Sequence, residues 1–133
     1  MLDIFNTLEP FFNDCYRRIN IREYARLMNI SPPSASKALD LFEKSGLLVK
    51  EKEKNYIYYT TNIRSKLFID LSRAYWSILL EKYNLITEAE NKLVSPVIIL
   101  FGSLSKAEAT RDSDVDIAIF AASTRELHLT EIE

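Results

Sequence analysis

Val97–Phe120, VIILFGSLSKAEATRDSDVDIAIF, is the stretch on which the reading of the chain turns. Five apolar residues, Val97 to Phe101, are rich in β-branched side chains and lie between Pro96 and Gly102. That composition predicts a buried strand. Gly102-Ser103 follows. After a gap of ten residues, Asp114-Val115-Asp116 lies in a second β-like run that ends at Phe120. Alternate side chains of a strand share a face, so Asp114 and Asp116 are expected to point the same way. Neighbouring carboxylates repel each other unless a cation lies between them. Mg²⁺ suits such a pair, because it takes one or two carboxylates and completes its shell with water and substrate phosphate. Gly102 lets the backbone approach a bulky group, and Ser103 offers a hydroxyl and an N–H where a helix can begin. Together they suit a phosphate. The plainer alternative is a surface loop followed by an edge strand with exposed acids.

Gly-Ser, a ten-residue gap and Asp-x-Asp between apolar strands resemble the nucleotidyltransferase superfamily that includes DNA polymerase β. The likeness is greatest to its small prokaryotic branch, the minimal nucleotidyltransferases. Lys106, Glu108, Ser113, Val115 and Ile117 also fit that pattern, whereas Ala107 stands where the small branch usually has glycine. The resemblance implies that Gly102 and Ser103 bind a nucleoside triphosphate. It also implies that Asp114 and Asp116 are the catalytic carboxylates that hold Mg²⁺. Such enzymes use a third carboxylate on a later strand as a metal ligand and general base. Glu126, Glu131 and Glu133 fall in a helix-like tail that starts near Thr124, so none is assigned that role. The expectation is a partial nucleotidyltransferase-type α/β unit over residues 95–133. Either it is a piece of a longer product or it is a short form that serves structure or nucleotide sensing. Without a base or a complete pocket it is expected to turn over poorly.

Outward from this stretch, the chain divides by charge. Residues 1–66 carry 11 lysines and arginines against 8 acids, a net +3, and residues 67–133 carry 6 against 11, a net −5. A polyanion would bind the first part and a metal the second. Nearly half of the 133 residues are apolar, enough for a core in one ordinary or two small domains. The apolar runs are far short of the ~20 residues that cross a bilayer. The start, MLDIFNTLEPFFND, is not a signal peptide, since it is acidic and lacks a basic segment. Cys15 is the only cysteine, which excludes an internal disulfide and makes a cytoplasmic location the default. His128 is the only histidine, which excludes a histidine-rich zinc site.

Ile4, Phe5, Leu8, Phe11 and Phe12 recur at helical spacing over about residues 3–14, with Pro10 expected to bend or split the helix. Residues 15–20 read as a link. A second helix over about 21–28 carries Ile21, Tyr24, Ala25 and Met28 on one face. Asn29-Ile30-Ser31 is a turn, Ser31 an N-cap and Pro32 the first residue of a third helix, whose inner face is Ala35, Ala38, Leu39 and Phe42. Gly46 is a left-handed stop. Two β-like runs around the charged tip 51–55 then form a hairpin.

Helix, turn, capped helix, glycine and hairpin make a winged helix-turn-helix over residues 1–62. The run IREYARLMNISPPSASKALDLFEKSGLL resembles winged-helix regulators of the MarR and ArsR type. The resemblance implies binding to double-stranded DNA. The helix after the turn enters the major groove, so Ser34, Ser36 and Lys37 are candidate base or phosphate contacts, with Asp40 as a repulsive neighbour. Lys50, Lys52 and Lys54 on the wing, and Arg17 and Arg18, are candidate phosphate contacts, with Arg22 as an addition. Glu51 and Glu53 weaken the wing's field.

Asn62 is a candidate cap for a long connecting helix over residues 63–94, ~45 Å if continuous, with a break at Asn84 as the alternative. Its surplus apolar surface predicts either a homodimer or packing on the C-terminal unit.

The fold expected is therefore α+β: a winged helix-turn-helix, a long connecting helix and a partial nucleotidyltransferase-type unit. The first functional reading is a DNA-binding transcriptional regulator that carries a metal and nucleotide site. The alternative is a minimal, antitoxin-like nucleotidyltransferase that moves a nucleotide from a triphosphate to a hydroxyl of a protein partner or a nucleic acid. A third reading is a module that makes protein contacts only. None of them places the chain at a membrane.

Overall fold

The computed structural model describes residues 3–102, 106–110, 114 and 116–121. It is an α+β structure. Its elements are α1 (Asp3–Asn13), β1 (Ile19–Asn20), α2 (Ile21–Met28), α3 (Pro32–Lys44), β2 (Leu48–Glu53), β3 (Tyr56–Thr61), α4 (Lys66–Lys82), α5 (Leu85–Lys92), β4 (Val97–Phe101) and β5 (Asp116–Phe120). No described helix is long and apolar enough to cross a membrane.

Phe5, Leu8, Phe11 and Phe12 of α1 are all buried, as their helical spacing requires. Pro10 lies inside α1 without dividing it. The loss of one N–H at the last turn is offset by the packing on either side. The predicted link 15–20 holds a short strand instead. Ile19 and Asn20 pair antiparallel with Tyr59 and Tyr58. Asn20 also caps α2, its side chain accepting from the Glu23 N–H at 2.8 Å. The Ser31 hydroxyl caps α3 by accepting from the Ser34 N–H, and Pro32 occupies the first turn. Gly46 follows with φ +79, the left-handed stop its position predicted. The first hairpin strand runs further than expected, to Glu53, while the second begins at Tyr56 as expected, so the turn narrows to Lys54-Asn55, with Lys54 at φ 54. The sheet order is β1-β3-β2.

The connecting segment differs from the expected single helix. Ser65, not Asn62, caps α4 by accepting from the Phe68 N–H at 3.1 Å. Asn62 instead donates to the Gly46 carbonyl at 2.8 Å and so closes the back of the hairpin. The helix stops at Tyr83, where Asn84 turns left-handed at φ 61, and α5 begins at Leu85. Seventeen residues give α4 a length of ~26 Å. Much of its apolar surface packs on α1: the Phe12 ring lies 5.2 Å from that of Phe68 and 4.9 Å from that of Tyr75. Leu67 and Ile78 stay exposed.

β4 is not the buried strand that its composition suggested. Val97, Ile99 and Phe101 are exposed, while Leu100 packs against the core. β4 and β5 form a two-stranded antiparallel sheet, and an apolar run does not by itself provide a layer to cover both faces. The helix-like tail expected from Thr124 lies outside the described residues.

Replacing Phe12 by alanine is expected to lower stability by about 3–5 kcal/mol, because it empties the contact between α1 and α4. The exposed Leu41→Ala change on α3 is expected to stay within about 0.5 kcal/mol. Urea denaturation of both variants measures the contrast.

Candidate functional site

The candidate nucleotide and metal residues lie at the end of the β4–β5 ladder. Phe101 is the last residue of β4 and pairs with Asp116, the first of β5. Gly102 then takes φ +76, which turns the chain out of extended geometry and ends the ladder. A Cβ built on Gly102 would run into the Asp116 carboxylate, 3.0 Å from Cγ and 3.2 Å from Asp116 Cβ, and closer still to Oδ2. Only glycine permits both the left-handed backbone and this approach. The loop backbone and one predicted metal ligand are therefore in contact, a cradle that any side chain at 102 would fill.

Asp116 is half-buried and Asp114 is exposed. Asp114 lies before the first residue of β5 rather than inside the strand, where alternation had placed it. The turn at Gly102 supplies the reason, because it leaves β5 without a strand partner beyond Asp116. Ser103, the other predicted phosphate residue, lies outside the described residues, as do Ser113 and Val115. Among the described residues, no group of three or more histidine, cysteine or acidic side chains is placed to hold a metal.

The segment between the two halves of this site docks on the N-terminal core. Ala107 and Ala109 are buried in the same apolar cluster as Phe12 and Cys15, while Lys106, Glu108 and Thr110 face solvent. The Cys15 N–H donates to the Ala109 carbonyl at 2.7 Å. Ala107 holds φ 55, a left-handed geometry unfavourable to a residue with a Cβ. Burial pushes the Cys15 thiol up to about 11, opposed by a hydrogen bond that its sulfur accepts from the Ala109 backbone. Sequence reasoning did not link Cys15 or Ala109 to the site. The one available signal was alanine at 107, where the sequence resemblance leads one to expect glycine.

The predicted DNA-facing residues lie on α3, on the hairpin and, for Arg17 and Arg18, between α1 and β1. Ser34, Ser36 and Lys37 line a shallow open depression with Pro33, Asp40 and Lys44. The Ser34 hydroxyl accepts from that of Ser31 at 2.9 Å, so it belongs to the cap of α3. Asp40 accepts from the Tyr59 hydroxyl at 2.5 Å and from Lys50 at 3.5 Å. Those contacts, Tyr59 first, hold its carboxyl below the usual carboxylate range, and burial together with Asp40 raises the Tyr59 phenol. Arg17 pairs with Glu23. Arg18 bridges Glu51 at 3.1 Å and Glu53 at 2.8 Å, and lies 4.5 Å above the Tyr58 ring. Lys52 and Lys54 are exposed at the hairpin's end.

With this geometry in place, a comparison with known families bears on the C-terminal part. Residues 81–133 match the family model described as Polymerase beta, Nucleotidyltransferase. The match begins at the end of α4, just before the break at Asn84, and residues 1–80 lie outside it. No curated protein and no solved structure matches the chain.

Gly102→Ala is expected to destabilise more than Gly46→Ala. Both incur a left-handed penalty of about 1–2 kcal/mol. Only Gly102 has a carboxylate in the way, whereas Gly46 has nothing within 4 Å. Tyr59→Phe is expected to lower stability by about 1 kcal/mol at neutral pH. Asp40's depressed value means that this contribution is present above the ordinary carboxylate range and fades as pH falls through the depressed value. Urea titrations of the parent and variant from neutral pH into acid should therefore converge.

Proposed function

We propose that the C-terminal part binds a nucleoside triphosphate with Mg²⁺ and transfers its nucleotidyl group to a hydroxyl. The observation that carries this is the Gly102–Asp116 cradle, which falls within the segment matching the nucleotidyltransferase family. It favours this reading over the one in which the chain is a transcriptional regulator alone.

In this reading the backbone at Gly102 and Ser103 approaches the phosphates, as glycine and an N–H-rich turn allow. Asp116, with Asp114, would hold the cation, which would supply positive charge against the transferred phosphate and the leaving pyrophosphate. The acceptor hydroxyl forms the new bond to the α-phosphorus as the bond to the β-phosphate oxygen breaks. The hydroxyl proton goes to a base. Asp116 lies beside the phosphate loop, so it serves binding before it serves any proton transfer. Efficient turnover requires a further base, because no third carboxylate joins the pair among the described residues.

A second reading concerns residues 1–62. Helix α2, a three-residue turn, the Ser31-capped α3 and the β2–β3 hairpin support a winged helix-turn-helix that docks the chain on duplex DNA. Ser34, Ser36 and Lys37 would meet the groove, and Lys50, Lys52 and Lys54 the phosphates. Arg17 and Arg18, tied to glutamates, would then contribute by shaping and neutralising the surface. A homodimer fits the exposed Leu67 and Ile78 of α4 and the symmetry of duplex half-sites.

Calorimetric titration with MgATP and MgGTP tests the first reading. Binding to the unaltered chain is expected, with at least tenfold weakening in Asp116→Asn. A chain that binds neither nucleotide sinks it. For the second reading, affinity for duplex DNA should fall with added salt, the logarithmic slope being about −0.9 per phosphate contact. Lys52→Ala combined with Lys54→Ala should flatten that slope by roughly two contacts. An affinity insensitive to salt would leave residues 1–62 as a protein-contact module.

A further inference from the structure

Resting on the nucleotide-site reading above, we propose that residues 106–110 link that site to the N-terminal core. A bound nucleoside triphosphate with its divalent cation holds the segment docked against Cys15, and the docked segment in turn tightens nucleotide binding.

Three observations carry the link. First, the segment lies between the two halves of the site, after Gly102-Ser103 and before Asp114 and Asp116. Along the chain it is therefore joined to both the phosphate turn and the metal ligands. Second, its docking is specific in the backbone. Buried and exposed residues alternate from Lys106 to Thr110, and the Cys15 N–H donates to the Ala109 carbonyl at 2.7 Å. Third, the receiving end is mechanically central. Cys15 follows α1, whose Phe11 and Phe12 meet the rings of Tyr24 on α2 and of Phe68 and Tyr75 on α4. Four residues beyond Cys15, Ile19 begins the strand that pairs with the hairpin. A change in docking at Cys15 thus reaches both the helical core and the hairpin.

The two states are the segment docked and the segment released. A phosphate site built from backbone N–H groups needs that backbone held, so the ligand binds the docked state more tightly. Any ligand with such a preference shifts the equilibrium towards docking, and the effect is reciprocal.

Amide hydrogen exchange on the full chain tests the link. On saturation with MgATP, exchange at the Cys15 amide is expected to slow at least fivefold. In Asp116→Asn the MgATP concentration that gives half of this slowing is expected to rise at least tenfold. Ala109→Asp places a carboxylate in an apolar seat. It is expected to speed Cys15 exchange and weaken MgATP binding at least tenfold, while the Leu39 and Tyr59 amides stay protected. Should that variant not fold, Ala109→Gly removes one buried methyl and is expected to weaken binding about fourfold. Nucleotide binding that leaves Cys15 exchange unchanged overturns the link and spares the proposed function. Failure of the unaltered chain to bind MgATP by calorimetry overturns both.

Discussion

Phe12 fixes the geometry on which the remainder depends. Its ring meets Phe5 within α1 at 6.3 Å, and Phe68 and Tyr75 of α4 at 5.2 and 4.9 Å. Aromatic pairs at such distances add about 0.5–1.5 kcal/mol each beyond the area they bury. The contact sets the course of α4, and so the point from which α5 and the β4–β5 sheet depart. The same helix end delivers Cys15 to the segment that returns from that sheet. The C-terminal residues are thus tied twice to one place, by chain connection through α4 and by the Cys15–Ala109 hydrogen bond.

The hairpin surface follows from electrostatics more than from packing. Lys50, Lys52 and Lys54 alternate with Glu51 and Glu53, which on their own would nearly cancel. Arg18 engages both glutamates, so the lysines are left with less opposing charge. Asp40 is handled in a similar way by Tyr59 and Lys50. These exposed pairs matter to the local field more than to stability, because each one offsets a carboxylate that would otherwise lower the positive charge of that surface.

The sequence was legible where local chemistry decides the outcome. Ser31-Pro32 and Gly46 mark the ends of α3 through capping and left-handed geometry, and those rules act within a few residues. Gly102 was legible for the same reason. Ile19–Asn20 was not, because two residues carry no alternation, and their pairing depends on Tyr58 and Tyr59 far along the chain. The break at Asn84 was weakly signalled, since neither glycine nor proline marks it. The exposure of β4 was misread because a run of apolar residues does not name the layer that covers it. Asp114 was placed in the strand by alternation alone, whereas the turn at Gly102 removes the strand opposite it. Docking of residues 106–110 left almost no trace, because its hydrogen bond is between two backbones and specifies no side chain.

Ala107 is the exception, because its backbone is costly and its methyl is buried on the core. A left-handed alanine costs about 1–2 kcal/mol relative to an ordinary backbone geometry. Burying its methyl and that of Ala109 returns ~0.8 kcal/mol each. The hydrogen bond from Cys15 adds about 0.5–1.5 kcal/mol. Against these terms stands the entropy of holding the segment, about 1–2 kcal/mol for each residue's backbone, so docking draws on the surrounding fold as well as on this contact. A ligand at a hundred times its dissociation constant contributes about 2.7 kcal/mol to the state it prefers. Glycine at 107 would relieve the backbone penalty but give up the buried methyl, exchanging a side-chain contact with the N-terminal core for a freer loop. Alanine makes the loop's conformation depend on the core against which it rests.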